Sequence, residues 1–501
     1  MEEYIFAIDI GTTSVKAIVL SSGRRIVAQT TIEHNLISRH PNWAEEDGDI
    51  WWDHTKQAIH TLVAEHPEFL PSLKGIGISG MVPAIVLLDE NGKVLRKTIQ
   101  QNDARAINQI AKLEAELDQD DLFARTGGRT NQQHILPRLL WVKENEPEVW
   151  EHVHWIMGSY DYIAYRLTGV PTLEINWAVE SGAFDIRKQE WLKDQLLHYG
   201  VQPAHLPPVH ASMEIIGTVQ KDICLELGLP GEIPVIAGSA DHVASTLAAG
   251  IIAPGDLLIK FGGAGDILFC TDKIQTNEKL FFDYHIIPNR YLLNGCMAAS
   301  GSLVKWFVKD MINAINEPDI YKKLDDEAEQ VAPAADGLII LPYFLGEKTP
   351  IFDPTARGVL FGLTLSHTRG HIFRAILEAV IYGFRHHLDV LSQMGYTPNR
   401  IFATNGGAKS KFWCQIAADV LGQEVTSFPH HPGSSLGVGF LAGLATNVFS
   451  DWNQIYDFLE ERHTYHPVQE HCAIYDKAYG VYRAVYEQTK PSLAAIQEFY
   501  R

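Results

Sequence analysis

Residues 4–20 read YIFAIDIGTTSVKAIVL. Two apolar runs, at residues 4–9 and 15–20, flank the polar turn Gly11-Thr12-Thr13, and this pattern predicts a β-hairpin. Glycine lets a backbone approach a phosphate closely, and threonine hydroxyls add hydrogen-bond donors. Asp9 precedes the turn, and such a carboxylate can hold Mg²⁺ through water molecules. Taken alone, the stretch fits a plain hairpin turn as well as a phosphate-binding loop.

A second hairpin with the same pattern lies in the other half of the chain. Residues 256–261 and 266–270 are predicted strands, and Gly262-Gly263-Ala264-Gly265 is the turn between them. This repeat predicts an α/β protein made of two related domains. We expect the domains to span residues 1–245 and 246–501 and to meet near residues 243–255, where Ala253-Pro254-Gly255 is a turn signal.

A third glycine loop, NGGAKS at residues 405–410, lies between a predicted strand (400–403) and a predicted helix (412–421). A strand–Gly-Gly–helix arrangement leaves N–H groups free where a nucleotide could dock. The loop is neither GxGxxG nor a Walker A motif. Three such loops in one chain favour a nucleotide site. Further predicted elements are strands at 74–79 and 85–89 and helices at 137–146, 159–168 and 372–391.

Charge and cysteine content limit the classes of partner. With 41 basic and 61 acidic residues, the net charge is −20, which argues against a nucleic acid or an anionic membrane as partner. ATP is not excluded, because backbone amides and a metal can hold it locally. The five cysteines are far apart and form no CxxC pair. The N-terminus has no signal-peptide pattern, and no window reaches about 18 apolar residues, so we expect a cytoplasmic protein.

Seven short motifs follow one another along the chain. They are DIGTTSVK (9–16), WAEED (43–47) followed by WW (51–52), NDAR (102–105), GSADH (238–242), GEKTP (346–350), GVLFGL (358–363) with His371, Ala375 and Glu378 behind it, and GGAKS (406–410). In this order they resemble the FGGY family of carbohydrate kinases over nearly the whole chain. The resemblance implies an α/β fold of two actin-like (ribonuclease H-like) ATPase domains, of the sugar kinase, Hsp70 and actin type.

The resemblance also implies roles for particular residues. Asp241 would be the catalytic base that accepts a sugar hydroxyl proton, and Asp9 and Asp241 would hold Mg²⁺. The residues expected to contact ATP are Thr12, Thr13, Ser14, Lys16, Gly262, Gly263, Gly301, Lys305, Gly406, Gly407, Ala408 and Lys411. The structural alternatives are a helix N-cap for Asp241, because a helix-like run begins there, and a purely structural role for Asp9.

The expected sugar site, in the first domain, departs from the family pattern. Pro83 stands where the family's xylulose kinases carry histidine, Gln101 where tryptophan is usual, Arg138 where lysine is usual, and Gly263 where threonine is common. The residues expected to contact the sugar are Met81, Val82, Pro83, Gln101, Asp103, Gln133, Asp241, His242 and Asp266. Gln100, Gln132 and His134 are further polar candidates, and Gln132, Gln133 and His134 fit surface loop positions equally well.

A polar site of this kind favours a substrate with several hydroxyls over glycerol. We therefore expect ATP-dependent phosphorylation of a pentulose-like sugar, with D-xylulose as the best match. Another polyol such as erythritol, a hexulose or a sugar acid such as gluconate remains an alternative, although no extra arginine pair lies near the expected sugar site to hold an acid. A non-catalytic sugar or nucleotide sensor and a chaperone-like ATPase also fit the fold class. Relatives imply a possible homodimer.

Overall fold

A computed structural model describes residues 2–40, 42–459 and 461–499. Its strands, in chain order, are β1 (Tyr4–Ile10), β2 (Ser14–Ser21), β3 (Ile26–Glu33), β4 (Glu45–Glu46), β5 (Leu73–Gly80), β6 (Val86–Leu88), β7 (Thr98–Ile99), β8 (Trp155–Met157), β9 (Leu173–Glu174), β10 (Phe184–Asp185), β11 (Glu190–Trp191), β12 (Val209–His210), β13 (Ile215–Thr218), β14 (Pro234–Ile236), β15 (Ser239–Ala240), β16 (Asp256–Phe261), β17 (Gly265–Thr271), β18 (Phe281–Tyr284), β19 (Tyr291–Met297), β20 (Ile339–Leu341), β21 (Val359–Phe361), β22 (Arg400–Thr404), β23 (Val425–Ser427) and β24 (His463–Tyr465).

The α-helices surround these strands. They are α1 (Gly48–Glu65), α2 (Ile107–Glu116), α3 (Gln119–Thr126), α4 (Ile135–Asn145), α5 (Pro147–Trp150), α6 (Ser159–Thr168), α7 (Ile175–Glu180), α8 (Lys193–His198), α9 (Lys221–Leu227), α10 (Asp241–Ala248), α11 (Gly301–Trp306), α12 (Ile320–Glu329), α13 (Arg369–Gln393), α14 (Lys411–Leu421), α15 (Ser434–Ala445) and α16 (Gln469–Ala495). Within the described ranges, none of these helices is long and apolar enough to span a bilayer.

Two seven-stranded sheets repeat one topology. The first has the order β13-β14-β5-β1-β2-β3, with β15 also pairing with β5, and the second has the order β18-β19-β17-β16-β22-β23-β24. In both sheets a hairpin, β1–β2 or β16–β17, is followed by a parallel neighbour, β5 or β22. Both outer pairs, β13–β14 and β23–β24, are antiparallel. The predicted repeat is therefore confirmed at the level of topology.

The two hairpins form where their patterns predicted them. Residues Ile5 to Ile8 of β1 are buried, because β1 is a central strand covered on both faces, and such strands are apolar without alternation. The second hairpin begins at the predicted Asp256, and its first strand ends at Phe261. The predicted helices at 137–146, 159–168, 372–391 and 412–421 are found as α4, α6, α13 and α14. The strand predicted at 85–89 is shorter, as β6.

The chain returns to the first sheet near its C-terminal end. Helix α15 packs against α10 and against β1, β2 and β5. A side chain at Gly437 would collide with the carbonyl oxygen of Ala244, and one at Gly77 would collide with that of Val438. The two helices and the strand thus meet backbone to backbone, which glycine alone permits. Residues 434–445 therefore belong spatially to the first sheet, and the division at residue 245 stays a prediction.

A buried ion pair closes the core of the second sheet. Glu378 and Arg374, both on α13, are 2.7 Å apart, and Tyr475 of α16 donates to Glu378 at 2.8 Å. Arg374 also donates to the carbonyl oxygens of Ala328 and Val331. Glu378, which follows the GVLFGL motif, thus holds helices together and does not face a ligand.

We expect Glu378→Leu to lower the free energy of unfolding by about 3–5 kcal/mol, because the Arg374 guanidinium would stay buried without its counter-charge. Urea unfolding followed by circular dichroism measures the change. The control is Glu327→Leu, which removes an exposed pair with Arg369 and should cost about 1 kcal/mol or less. Equal losses in the free energy of unfolding of the two variants would contradict a special role for the buried pair.

Candidate active site

A cavity of about 300 Å³ lies where segments from the two halves of the chain meet. That size is at the lower end of the range for small-molecule sites. The residues predicted to contact a sugar that line it are Val82, Pro83, Gln101, Gln133, Asp241, His242 and Asp266. Met81 and Asp103, from the same prediction, are not among its lining residues. The structure thus brings together most of the predicted sugar contacts.

Asp241 begins helix α10 and faces the cavity. Its carboxylate accepts a hydrogen bond from the N–H of His242 at 2.6 Å. The N-cap position itself is occupied by Ala240, which provides no side-chain cap, so the N-cap alternative for Asp241 is wrong. A carboxylate in the first turn of a helix lies near the partial positive charge of the helix N-terminus. The position suits a group that must accept a proton.

Asp9 lies near the end of β1, beside Asp241. The hydroxyl of Ser79 on β5 donates to Asp9 at 2.7 Å. Burial and then the negative charge of Asp241 raise the pKa of Asp9 to about 6. Two carboxylates that repel each other in a partly buried cleft are a donor set that fits a hard divalent cation.

The first glycine loop is closed by its own backbone. Gly11 N–H donates to the Ser14 carbonyl oxygen at 2.9 Å, and Thr13 is exposed at the tip. The Thr12 hydroxyl lies 3.8 Å from the sulfur of Met81. Met81 is fully buried beside this loop, and its predicted direct contact with the sugar stays a prediction.

The other two loops form one surface in the second half. Gly301 N–H donates to the Gly262 carbonyl oxygen at 2.8 Å, and a side chain at Gly301 would stand 2.7 Å from that oxygen. A side chain at Gly407 would meet Phe261 and Trp413 at about 2.6 Å. The structure thus brings together several predicted ATP contacts. The other residues of the second half that are predicted to contact ATP are Gly263, Lys305, Gly406, Ala408 and Lys411. Both lysines are exposed.

A cluster of basic groups lies near the first two loops, and of its members only Lys16 was predicted from the sequence. The Lys16 ammonium donates to the Pro432 carbonyl oxygen at 2.9 Å. Burial, and then the charges of Lys260 and Lys16, lower the pKa of His431 to about 3. Two ammonium groups near one imidazole create a positive potential at the place where a polyphosphate would meet the loops.

Arg138 organises the wall formed by the first half. Its guanidinium donates to the carbonyl oxygens of Pro83, Gln101 and Gln132, at 3.3, 2.9 and 2.8 Å. The side chain is buried, and burial lowers its pKa to about 10. The guanidinium directs these hydrogen bonds from two separate nitrogens, Nη1 and Nη2, whereas the three donors of a lysine share one nitrogen.

Three further polar candidates do not line the cavity. Gln100 is buried and donates to Thr98 at 3.1 Å. Gln132 is exposed, and His134 is buried 3.2 Å from the side-chain amide of Asn131. Burial lowers the pKa of His134 to about 4. The geometry therefore favours a structural or surface role for Gln100, Gln132 and His134.

Asp103 has a structural task. Its carboxylate accepts a fork of two hydrogen bonds from Arg105, at 2.9 and 2.7 Å, and one from the N–H of Ala44 at 2.6 Å. Arg105 also pairs with Glu45 and stacks on the ring of Trp43. Both oxygens of Asp103 are engaged by these donors, and its predicted direct contact with the sugar stays a prediction. The WAEED and NDAR motifs are therefore held together by these contacts.

A polar wall that was not predicted from the sequence lies opposite Asp241. Asp283 accepts from the Nε2 of His242 at 3.0 Å and from the amide of Asn294. Glu180 lies close to both His242 and Asp283. Burial alone would lower the pKa of His242, but the carboxylates of Asp283 and Asp241 outweigh burial and raise the pKa well above its usual range. No motif marks these residues, which are far apart in sequence.

Comparison with known proteins identifies the architecture. Models of the N- and C-terminal domains of the FGGY family of carbohydrate kinases match residues 4–248 and 271–446. The crystal structure of xylulose kinase from Rhodospirillum rubrum has a TM-score of 0.93 and 39% identity, covering 98% of this chain and 100% of that one. Xylulose kinase of Staphylococcus epidermidis is 29% identical over 98% of both chains. Gluconokinase of Bacillus licheniformis is 28% identical over 95% of this chain and 94% of that protein.

These matches confirm the predicted fold class, a two-domain α/β fold with a mixed sheet in each half. All seven motifs lie within the residues that the two family models match. The chain belongs to the FGGY family of carbohydrate kinases and is an ATP-dependent sugar kinase.

Proposed function

We propose that this kinase phosphorylates a hydroxyl of a pentulose, with D-xylulose as the best candidate, and that Asp241 is the general base. The observation that carries the proposal is the position of Asp241 in a small polar cavity that residues from both halves of the chain line. The xylulose kinases among its relatives support the choice of sugar. Gluconokinases are also among them, so gluconate remains the second candidate.

The residues of the chain account for each part of the reaction. Asp241 takes the proton of the attacking hydroxyl while the oxygen forms a bond to the γ-phosphorus of ATP and ADP leaves. Mg²⁺, when bound, neutralises charge on the phosphates. Asp9 and Asp241 would hold it through water molecules, since their paired carboxylates fit a hard cation. Lys16 and Lys260 add positive charge beside the loops.

The nucleotide site is proposed at the loops of the second half. The glycines at 262, 263, 406 and 407 would let the backbone come close to a nucleotide, with Gly301 packed against the Gly262 carbonyl oxygen. Thr12, Thr13 and Ser14 would contact the phosphates from the first half. Closing the two halves on each other would exclude water, which competes with the sugar as acceptor. The division at 245/246, a homodimer and a cytoplasmic location stay predictions.

A coupled ADP-release assay tests the substrate. With ATP and Mg²⁺, we expect turnover of about 1–100 s⁻¹ on D-xylulose or a closely related ketopentose. The panel includes D-ribulose, D-fructose, erythritol, glycerol and D-gluconate. Turnover restricted to gluconate would overturn the choice of a pentulose. No sugar-dependent ADP release from a folded protein would favour a non-catalytic sensor.

A further inference from the structure

Glu46 lies in the WAEED motif, and the proposed reaction gives it no role. Its side chain is 2% exposed, and its Oε2 lies 3.3 Å from the Nε2 of His34, whose side chain is 5% exposed. The indole N–H of Trp51 donates to the same Oε2 at 2.5 Å. His54, which like Trp51 is on α1, packs beside His34 with the ring centres 5.6 Å apart. These four residues, the His34 cluster, lie beside the end of β3.

The His34 cluster contacts the first glycine loop at two points. The backbone N–H of His34 donates to the Thr13 carbonyl oxygen at 2.9 Å. The His34 Nε2 lies 3.0 Å from the Gly11 carbonyl oxygen. Its two neighbours, that carbonyl oxygen and the Glu46 carboxylate, are both acceptors, so this nitrogen carries a hydrogen and donates it. His34 therefore holds the carbonyl groups of the residues before and after Thr12.

The direction of the Gly11 carbonyl group sets the direction of the next N–H. In a trans peptide, the C=O of one residue and the N–H of the following residue lie in one plane and point in opposite directions. Since the Gly11 carbonyl oxygen points at the buried His34 ring, the Thr12 N–H points away from the cluster. Several N–H groups directed at one point are what a phosphate site is built from.

The polar character of the His34 cluster is not explained by packing. Buried ion pairs can often be replaced by apolar residues of similar volume without loss of stability. Packing alone therefore does not require a histidine and a glutamate between β3, β4 and α1. Apolar side chains, however, offer no donor that holds the Gly11 carbonyl oxygen in one direction. Glu46 has the complementary task, because its carboxylate fixes the imidazole and is itself held by Trp51.

We infer that His34 is a positioning residue for ATP: its Nε2–H holds the Gly11 carbonyl oxygen and so directs the Thr12 N–H at the phosphates. The inference rests on the proposed contact of the first glycine loop with the phosphates and deepens it. His34 acts through the loop, because its side chain is buried. Without this hydrogen bond the nucleotide itself would have to order the loop, and the entropic cost of ordering would weaken binding.

ATP binding, measured by calorimetry with Mg²⁺ and without sugar, tests the inference. His34→Leu and His34→Phe fill the space without a donor and should bind ATP about 5- to 30-fold more weakly than the wild type. His34→Gln places an amide N–H near the position of Nε2 and should bind ATP within about threefold of the wild type. His54→Leu is the matched control. It removes the neighbouring imidazole but leaves the bond to Gly11, and should change the affinity by less than about twofold.

Two results would overturn the inference. One is ATP binding as tight as that of the wild type by a variant of His34 that is folded and lacks the donor. The other is an equal weakening in His34→Leu, His34→Gln and His54→Leu, which would indicate lost packing instead of a lost donor. Thermal unfolding shows whether each variant is folded.

Thr12→Pro separates the positioning role of His34 from the phosphate contact on which it rests, because proline lacks the N–H. If Thr12→Pro weakened ATP binding and His34→Leu did not, the loop would contact phosphate without the help of His34. If neither variant weakened it, the proposed phosphate contact of the loop would be wrong as well. ATP binding is measured without sugar, so a wrong choice of sugar or of general base leaves this test intact.

Discussion

Asp241→Asn should lower kcat by about 10²–10⁴-fold and change the dissociation constant of the sugar by less than about fivefold. The amide has the same shape, and it still accepts the hydrogen bond that the N–H of His242 donates. It cannot take a proton from the attacking hydroxyl. Coupled ADP release gives kcat, and calorimetry without ATP gives the affinity.

The control for this variant distinguishes a catalytic role of the aspartate from a role in starting a helix. Asp118 also begins a helix, where it accepts from the N–H groups of Asp120 and Asp121, but it is exposed and outside the cavity. Asp118→Asn should retain full activity. If Asp241→Asn also retained activity, or lost it only together with its fold in thermal unfolding, the assignment of Asp241 as base would be wrong.

The sequence was most informative where one local pattern decides the structure. The two hairpins were predicted because a central strand is apolar throughout and because glycine turns are short. The outer strands β13, β14, β18 and β24 are short, and their pairing depends on segments far away in the chain. No local pattern contains that information, so they were not predicted.

The motifs identified the regions of the chain that form the site more reliably than they identified the side chains that face a ligand. Asp103 and Glu378 both lie in recognisable motifs, yet each carboxylate is occupied by a buried arginine. A sequence cannot distinguish a carboxylate that faces a ligand from one that faces a guanidinium, because the partner is set by packing. For the same reason the wall of Glu180, Asp283 and Asn294 was invisible until the two halves were brought together.

Arg138 illustrates how a departure from a family pattern can be explained physically. In the sequence, arginine in place of lysine was one change among several. In the structure its guanidinium joins three loops through their carbonyl oxygens and so sets the shape of one cavity wall. Pro83 and Gln101, two other departures, are among the residues that it holds.

Asp9→Asn should produce a protein that is more stable without ligands and nearly inactive. The pKa of Asp9 is raised from 3.8 to about 6 in the folded state. Above pH 6 the group is ionised in both states, so its charge disfavours folding there, and this penalty disappears as the pH falls toward 3.8. Replacing the carboxylate should therefore raise the free energy of unfolding at pH 7.5 by about 1–2 kcal/mol.

Urea unfolding with a chelator present, at pH 7.5 and at pH 5, measures this gain, which should be smaller at the lower pH. Activity should fall by about 10²-fold or more, because Mg²⁺ and the phosphates lose a carboxylate partner.

In an Asp241→Asn background the stability gain should shrink, since the charge of Asp241 contributes to the raised pKa of Asp9. A variant of unchanged stability with full activity would mean that Asp9 is a structural residue bonded to Ser79. A stabilised but inactive variant would mean that the fold tolerates an unfavourable charge at Asp9 because the reaction needs it.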